Sequence, residues 1–110
     1  MNSKDKKQIQ LHKMELDEKY LSRKLTEIIM NDQLIRSNLE RYKNKFKGKD
    51  KKKIFVLEKR LIKILAINRR ILRLLIQSNF IDCNNIFGVS LFTVKDIEYF
   101  LNTTIKKHRN

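Results

Sequence analysis

The 110-residue sequence predicts an all-α fold: a small helical bundle around a long antiparallel helical hairpin, with short C-terminal helices. Three observations carry this expectation. Apolar side chains recur at three- and four-residue steps, the spacing that lines one face of a helix. The chain has no Pro and only two Gly, so little interrupts a helix once it has begun. No period-two alternation lasts long enough to mark a strand.

The elements follow in chain order. Residues 9–46 read as one long helix or two, with Leu16, Tyr20, Leu21, Leu25, Ile28, Ile29, Leu34, Ile35, Leu39, Tyr42 and Phe46 on the inner face. The phase slips near Asn31-Asp32, where a break is expected. Gly48 can end this stretch in the left-handed conformation that only Gly adopts cheaply. Asp50 can then accept from the free N–H groups of a second helix over about 51–78. Its inner stripe is Ile54, Leu57, Leu61, Ile64, Leu65, Ile71, Leu72 and Leu75. The short connection makes the two helices antiparallel. Residues 81–87 read as a short helix stopped at Gly88. Thr93 with Asp96 three residues later resembles a helix start. A final helix from about Val94 to Lys106 would bury Ile97, Phe100, Leu101 and Ile105. Residues 1–110 form a single domain, with 1–25 as an N-terminal extension.

Charge then points to function. Lys and Arg number 26 against 12 acidic residues, a net charge of +14. Residues 41–73 carry 14 of these cations and only two acids, so +12 of the +14 lies in the middle third. Such a segment calls for an anionic partner, and nucleic acid is expected and no membrane, because Leu61, Ile64, Leu65, Leu72 and Leu75 have a natural apolar partner in residues 16–46 and are not free to lie on lipid. A span across a membrane is not expected, because Lys63, Asn68, Arg69, Arg70 and Arg73 interrupt the longest apolar stretch. The single cysteine, Cys83, allows no intramolecular disulfide and no Cys-based metal site. His12 and His108 share no motif with a nucleophile or carboxylate, and no glycine-rich phosphate loop exists. The chain is therefore expected to be no enzyme and to need no cofactor, metal or small-molecule substrate.

Two basic features stand out. Lys59, Lys63, Ala66, Arg70 and Arg73 follow at steps of four, three, four and three, which on a continuous helix places them along one face. The result would be a positive ridge, with the chain's only Ala leaving room for a sugar-phosphate backbone. The second is the lysine-rich turn Lys43, Lys45, Lys47, Lys49, Lys51, Lys52 and Lys53 around Gly48 and Asp50, either a phosphate contact or an unengaged tip. Tyr42 and Phe46 beside it are candidates either for stacking on unpaired bases or for the core.

From Leu61 to Gly88 the order Leu-Ile-Lys-Ile-Leu-Ala, Arg69-Arg70-Ile71-Leu72-Arg73-Leu74-Leu75 and Ile86-Phe87-Gly88 resembles the universal fifteenth protein of the small ribosomal subunit. Thr26-Glu27 is similar to that family's Thr-Glu at the start of its second helix, and Asp50 to the acid of its His-Lys-Lys-Asp turn. The turn histidines are lysines here, about four extra residues follow Asp50, and the tail from Phe92 is longer than the family's. The resemblance implies a four-helix protein that binds ribosomal RNA at a junction and supports platform assembly beside neighbouring small-subunit proteins. Thr26 would touch the junction, Asp50 would sit in the minor-groove turn, and Arg69 and Arg70 would grip backbone. Arg60-Leu61-Ile62 with Arg70-Ile71-Leu72 and Leu74-Leu75 also resembles the eighteenth small-subunit protein, although Ile76 stands where that family has Pro.

The expected RNA-binding residues are Thr26, Lys47, Lys49, Asp50, Lys52, Lys53, Lys59, Lys63, Arg69, Arg70 and Arg73. The expected location is the ribosome of a plastid or mitochondrion, or of a bacterium with an A/T-rich genome. The alternative is a non-ribosomal basic helical adaptor or nucleic-acid-binding module. A helix-turn-helix reader is disfavoured, because no helix stands out with base-reading side chains early in it.

Overall fold

The computed structural model describes the backbone of residues 3–108 and the side chains of residues 17–104. Leu16 and Ile105, both assigned to the core from periodicity, lie outside the described side chains. Helix α1 (Ser3–Met30) and helix α2 (Asp32–Lys43) are divided at Asn31, where the apolar phase slips. Leu21, Leu25 and Ile28 of α1 and Ile35 and Leu39 of α2 are buried. Leu21 and Leu25 are thus core residues within the stretch read as an N-terminal extension. A short 3-10 turn (Asn44–Phe46) follows α2, and Gly48 takes φ +84°, the left-handed role expected of it. The Asp50 carboxylate accepts from the Lys52 N–H at 3.0 Å. It caps a single 3-10 turn (Lys51–Lys53), however, and not a long helix.

The expected helix over 51–78 is replaced by strand β1 (Phe55–Leu57), helix α3 (Glu58–Leu65) and helix α4 (Arg69–Gln77). The reason lies in the apolar stripe itself. A continuous helix burying Leu61, Ile64, Leu65, Leu72 and Leu75 would carry Asn68 in the middle of its buried face. Asn competes with helix hydrogen bonding and favours caps. It does so here: Asn68 is extended, and its side-chain oxygen accepts from the Ile71 N–H at 2.9 Å, starting α4. Just before it, Ala66 takes φ 55° and ψ 47°. The Ile67 N–H reaches the Ile62 carbonyl at 3.1 Å and the Ala66 N–H the Lys63 carbonyl at 3.3 Å, the double closure that ends a helix on a left-handed residue. Residues 66–68 therefore stop one helix and start the next, and α3–turn–α4 is a helix-turn-helix. Helix α4 ends in the same manner: Asn79 has φ 61°, and the Phe80 N–H donates to the Leu75 carbonyl at 2.9 Å.

The chain is not all-α. Where a short helix is expected over 81–87, strand β2 (Asn84–Ile86) pairs antiparallel with strand β3 (Val89–Thr93). The loop between them is Phe87-Gly88, with φ +51° and +78°. Positive φ at both positions gives a two-residue hairpin the twist of its strands. β1 pairs with the other edge of β3, so the strand order is β1-β3-β2. Val56 and Phe92 are cross-strand partners and fully buried. On the other face Phe55, Leu57, Ile86 and Val89 are exposed. The succession β1, α3, α4, β2, β3 with this strand order is the winged form of the helix-turn-helix, the β2–β3 hairpin being the wing.

Helix α5 (Val94–His108) closes the fold. The Thr93 hydroxyl accepts from the Asp96 N–H at 3.1 Å, the expected start, and Ile97, Phe100 and Leu101 are buried. Arg36 ties α2 to α5 by donating to Asn102 at 2.9 Å while holding Asp32 at 2.7 Å. The core is one cluster drawn from every helix and from the inner face of the sheet.

Candidate nucleic-acid interface

The site is built by the periodicity of α4. Ile71, Leu72 and Leu75 face the core and fix the helix. Arg69, Arg70, Arg73 and Gln77 are left exposed on the opposite side. Because Asn68 caps the helix, Arg69 and Arg70 occupy its first turn and Arg73 its second. No acid lies within α4. The exposed side borders an open depression of about 520 Å³ lined by Asp17, Arg69, Arg70, Arg73, Leu74 and Gln77.

Two of the three arginines are oriented by neighbours. The Arg70 guanidinium lies 3.1 Å from the Asp17 carboxylate of α1 and 4.6 Å from the centre of the Tyr20 ring. A planar guanidinium over an aromatic face gains cation–π attraction, and the carboxylate fixes its direction. Arg69 lies 3.5 Å from Glu58 at the start of α3. Arg73 has no acidic partner among the described residues.

The predicted ridge is not a line. Lys59 and Lys63 stand on α3, and Arg70 and Arg73 on α4, with the helix broken between them at Ala66. Ala66 supplies the left-handed turn between them. Lys63 instead shares a groove between α2 and α3 with Arg41, Lys45 and Arg60.

The lysine-rich turn is partly occupied. Lys43 and Lys51 each hold one oxygen of Glu98 of α5 at 3.0 Å. Burial pushes the Glu98 carboxyl up, but the hydrogen bonds and charges of Lys43 and Lys51 outweigh it, so its pKa falls below the ordinary value. The hydrogen bond to Glu98 raises the Lys43 ammonium in turn, against the opposing effect of burial. The Lys49 ammonium lies 5.9 Å from the centre of the Phe46 ring. Lys45, Lys47, Lys52 and Lys53 remain exposed, with no acidic partner among the described residues.

Thr26 lies in the penultimate turn of α1, not at a helix start, and its hydroxyl donates to the Ser22 carbonyl at 3.1 Å. Tyr42 and Phe46 pack against the core with ring centroids 5.2 Å apart, and the Tyr42 hydroxyl donates to the Phe55 carbonyl at 2.7 Å. They brace the fold at the edge of β1, and Tyr42 also lines the groove between α2 and α3. Gln77, Arg41 and Arg60 are not among the residues expected to bind RNA, yet they line these two concavities. Asn68 was the available signal that α3 and α4 are separate.

Among the described residues no group of three His, Cys, Asp or Glu is placed to hold a metal ion, and no helix is long and apolar enough to cross a membrane. No family model matches the chain, and neither does any curated protein or solved structure.

Proposed function

We propose that the chain binds double-stranded DNA, with α4 entering the major groove and the β2–β3 wing lying against the adjoining backbone. One observation carries the reading: the second helix of a helix-turn-helix opens with Arg69 and Arg70 and continues its exposed side with Arg73 and Gln77. Arg forks onto the acceptors of guanine, Gln pairs with adenine, and either can bind phosphate. B-form DNA admits a helix to its major groove, whereas the deep, narrow groove of duplex RNA does not. The net charge of +14 supplies the sequence-independent part of the affinity through release of counterions.

The test is a salt titration of binding to duplex DNA and to duplex RNA of matched length. Duplex DNA is expected to bind more tightly. Affinity should fall by about 0.9 log unit per log unit of salt for each phosphate neutralised. Arg69→Gln with Arg73→Gln should weaken DNA binding by a factor of ten or more, on the order of 1–3 kcal/mol per lost contact. Unchanged binding by that variant, or a preference for duplex RNA, sinks the proposal.

A second reading is favoured by a different observation, the exposed lysines around the left-handed Gly48, of which Lys45, Lys47, Lys52 and Lys53 touch neither an acid nor an aromatic ring among the described residues. It is the ribosomal one: a small-subunit protein holding ribosomal RNA backbone at this turn, beside neighbouring ribosomal proteins. Co-sedimentation with ribosomal subunits, lost when these lysines are changed to Gln and kept when Arg69 and Arg73 are, would select it over the first.

A further inference from the structure

The groove between α2 and α3 shares no residue with the arginine face of α4. It holds about 330 Å³ and is lined by Asn38, Arg41, Tyr42, Lys45, Arg60, Lys63 and Ile64. Four of these are cations, none is acidic, and none of the four has an acidic partner among the described residues. Cations do favour helix C-termini, and Arg41 and Lys63 stand in the last turns of α2 and α3. A helix end carries only about half a unit of charge, however, so two helix ends do not balance four cations in one concavity.

The walls are also fixed in place. The Asn38 side chain donates to the Ile64 carbonyl at 3.2 Å, and its oxygen accepts from Arg41 at 2.7 Å. Arg41 is thereby aimed by a residue anchored to the far wall. The Tyr42 ring is held by its hydroxyl on the Phe55 carbonyl. Tyr42 and the buried Ile64 form an apolar floor beneath the charges. A single monovalent anion would leave most of this charge unmatched.

We propose that the α2–α3 groove is a phosphate-binding site in its own right, taking adjacent phosphates carried by a flat aromatic group, that is, a nucleotide. The phosphates would meet Arg41, Lys45, Arg60 and Lys63, with the base against Tyr42. The same chemistry has two sources, a free nucleoside triphosphate or consecutive nucleotides of a single strand. The site needs no duplex and is separable from the α4 reading.

The test is calorimetric titration of the full chain with inorganic tripolyphosphate, with ATP and with an oligothymidylate strand. Saturable binding of tripolyphosphate is expected. Arg60→Gln with Lys63→Gln should weaken it about tenfold or more, from the loss of two charge-assisted hydrogen-bonding groups. Arg69→Gln with Arg73→Gln should leave it unchanged. Tighter binding of ATP than of tripolyphosphate identifies a free nucleotide as the source, and tighter binding of the strand identifies nucleic acid. Should the Arg60/Lys63 variant fail to fold, Lys45→Gln on the other wall carries the same comparison. Absence of saturable tripolyphosphate binding, or equal weakening by the groove and α4 variants, overturns the proposal.

Discussion

Replacing Ala66 by Gly should stabilise the protein, and the sign of the effect discriminates between two architectures. Ala66 sits at φ 55° and ψ 47°, where an L-residue with a Cβ is disfavoured by roughly 1–2 kcal/mol. Its side chain is exposed, so truncation forfeits no packing. Glycine removes the steric cost but brings extra freedom to the unfolded chain, worth roughly 0.5–1 kcal/mol in the opposite direction. The net expectation is a gain of about 0.5–1 kcal/mol, a rise in melting temperature of about 2–8 °C for a domain near 100 residues. Thermal unfolding followed by circular dichroism, with urea titration for the free energy, reads this directly. Were residues 58–77 one continuous helix, the same substitution would sit in a helix interior and cost about 1 kcal/mol. Loss of stability in Ala66→Gly therefore refutes the turn, and with it the helix-turn-helix.

Further outcomes are expected at other positions. Phe87→Asn should stabilise the wing by a few tenths of a kcal/mol to about 1 kcal/mol, because Asn-Gly suits two consecutive positive φ values better than Phe-Gly; hydrogen exchange at β2 and β3 should slow, and faster exchange counts against the hairpin. Asp17→Asn should raise affinity for duplex DNA about two- to fivefold by releasing Arg70 and removing a repelling charge, as an exposed ion pair is worth under about 1 kcal/mol; weaker binding would mean that Asp17 positions Arg70 productively. Glu98→Gln should destabilise the fold by about 1 kcal/mol near neutral pH. Its carboxyl lies below its ordinary value in the folded state. The contribution is therefore present above about pH 4.3 and lost as pH falls through the lower native value. Parent and variant should converge in acid, and a constant difference down to pH 2 would exclude the pairing with Lys43 and Lys51.

The helical half of the fold is legible in the sequence because its signals are local. The phase slip at Asn31, the left-handed Gly48 and the Thr93–Asp96 start all depend on neighbours within one turn, and each occurs where local physics puts it. The sheet is not legible, because β1 and β2 are three residues each and take their identity from β3. Asn84-Asn85-Ile86 shows no alternation, and Phe-Gly is a poor advertisement for a tight hairpin. The break at 66–68 lies between these cases. Ala favours helices intrinsically and hides the turn, whereas Asn68 in the buried stripe marks it. Reading past Asn68 joins two groups of cations into one ridge. Stopping there separates them, Arg60 and Lys63 joining α2, and Arg69, Arg70 and Arg73 opening α4. The excess of charge in residues 41–73 is unaffected by this distinction, since composition does not depend on where helices end.

Whether α4 is the element a duplex meets can be read most directly from backbone amide shifts followed while a short DNA duplex is added. The largest changes are expected across 69–77 and at the wing around 84–90, with 45–53 moving less. Changes centred on 45–53, with α4 unmoved, would contradict that assignment.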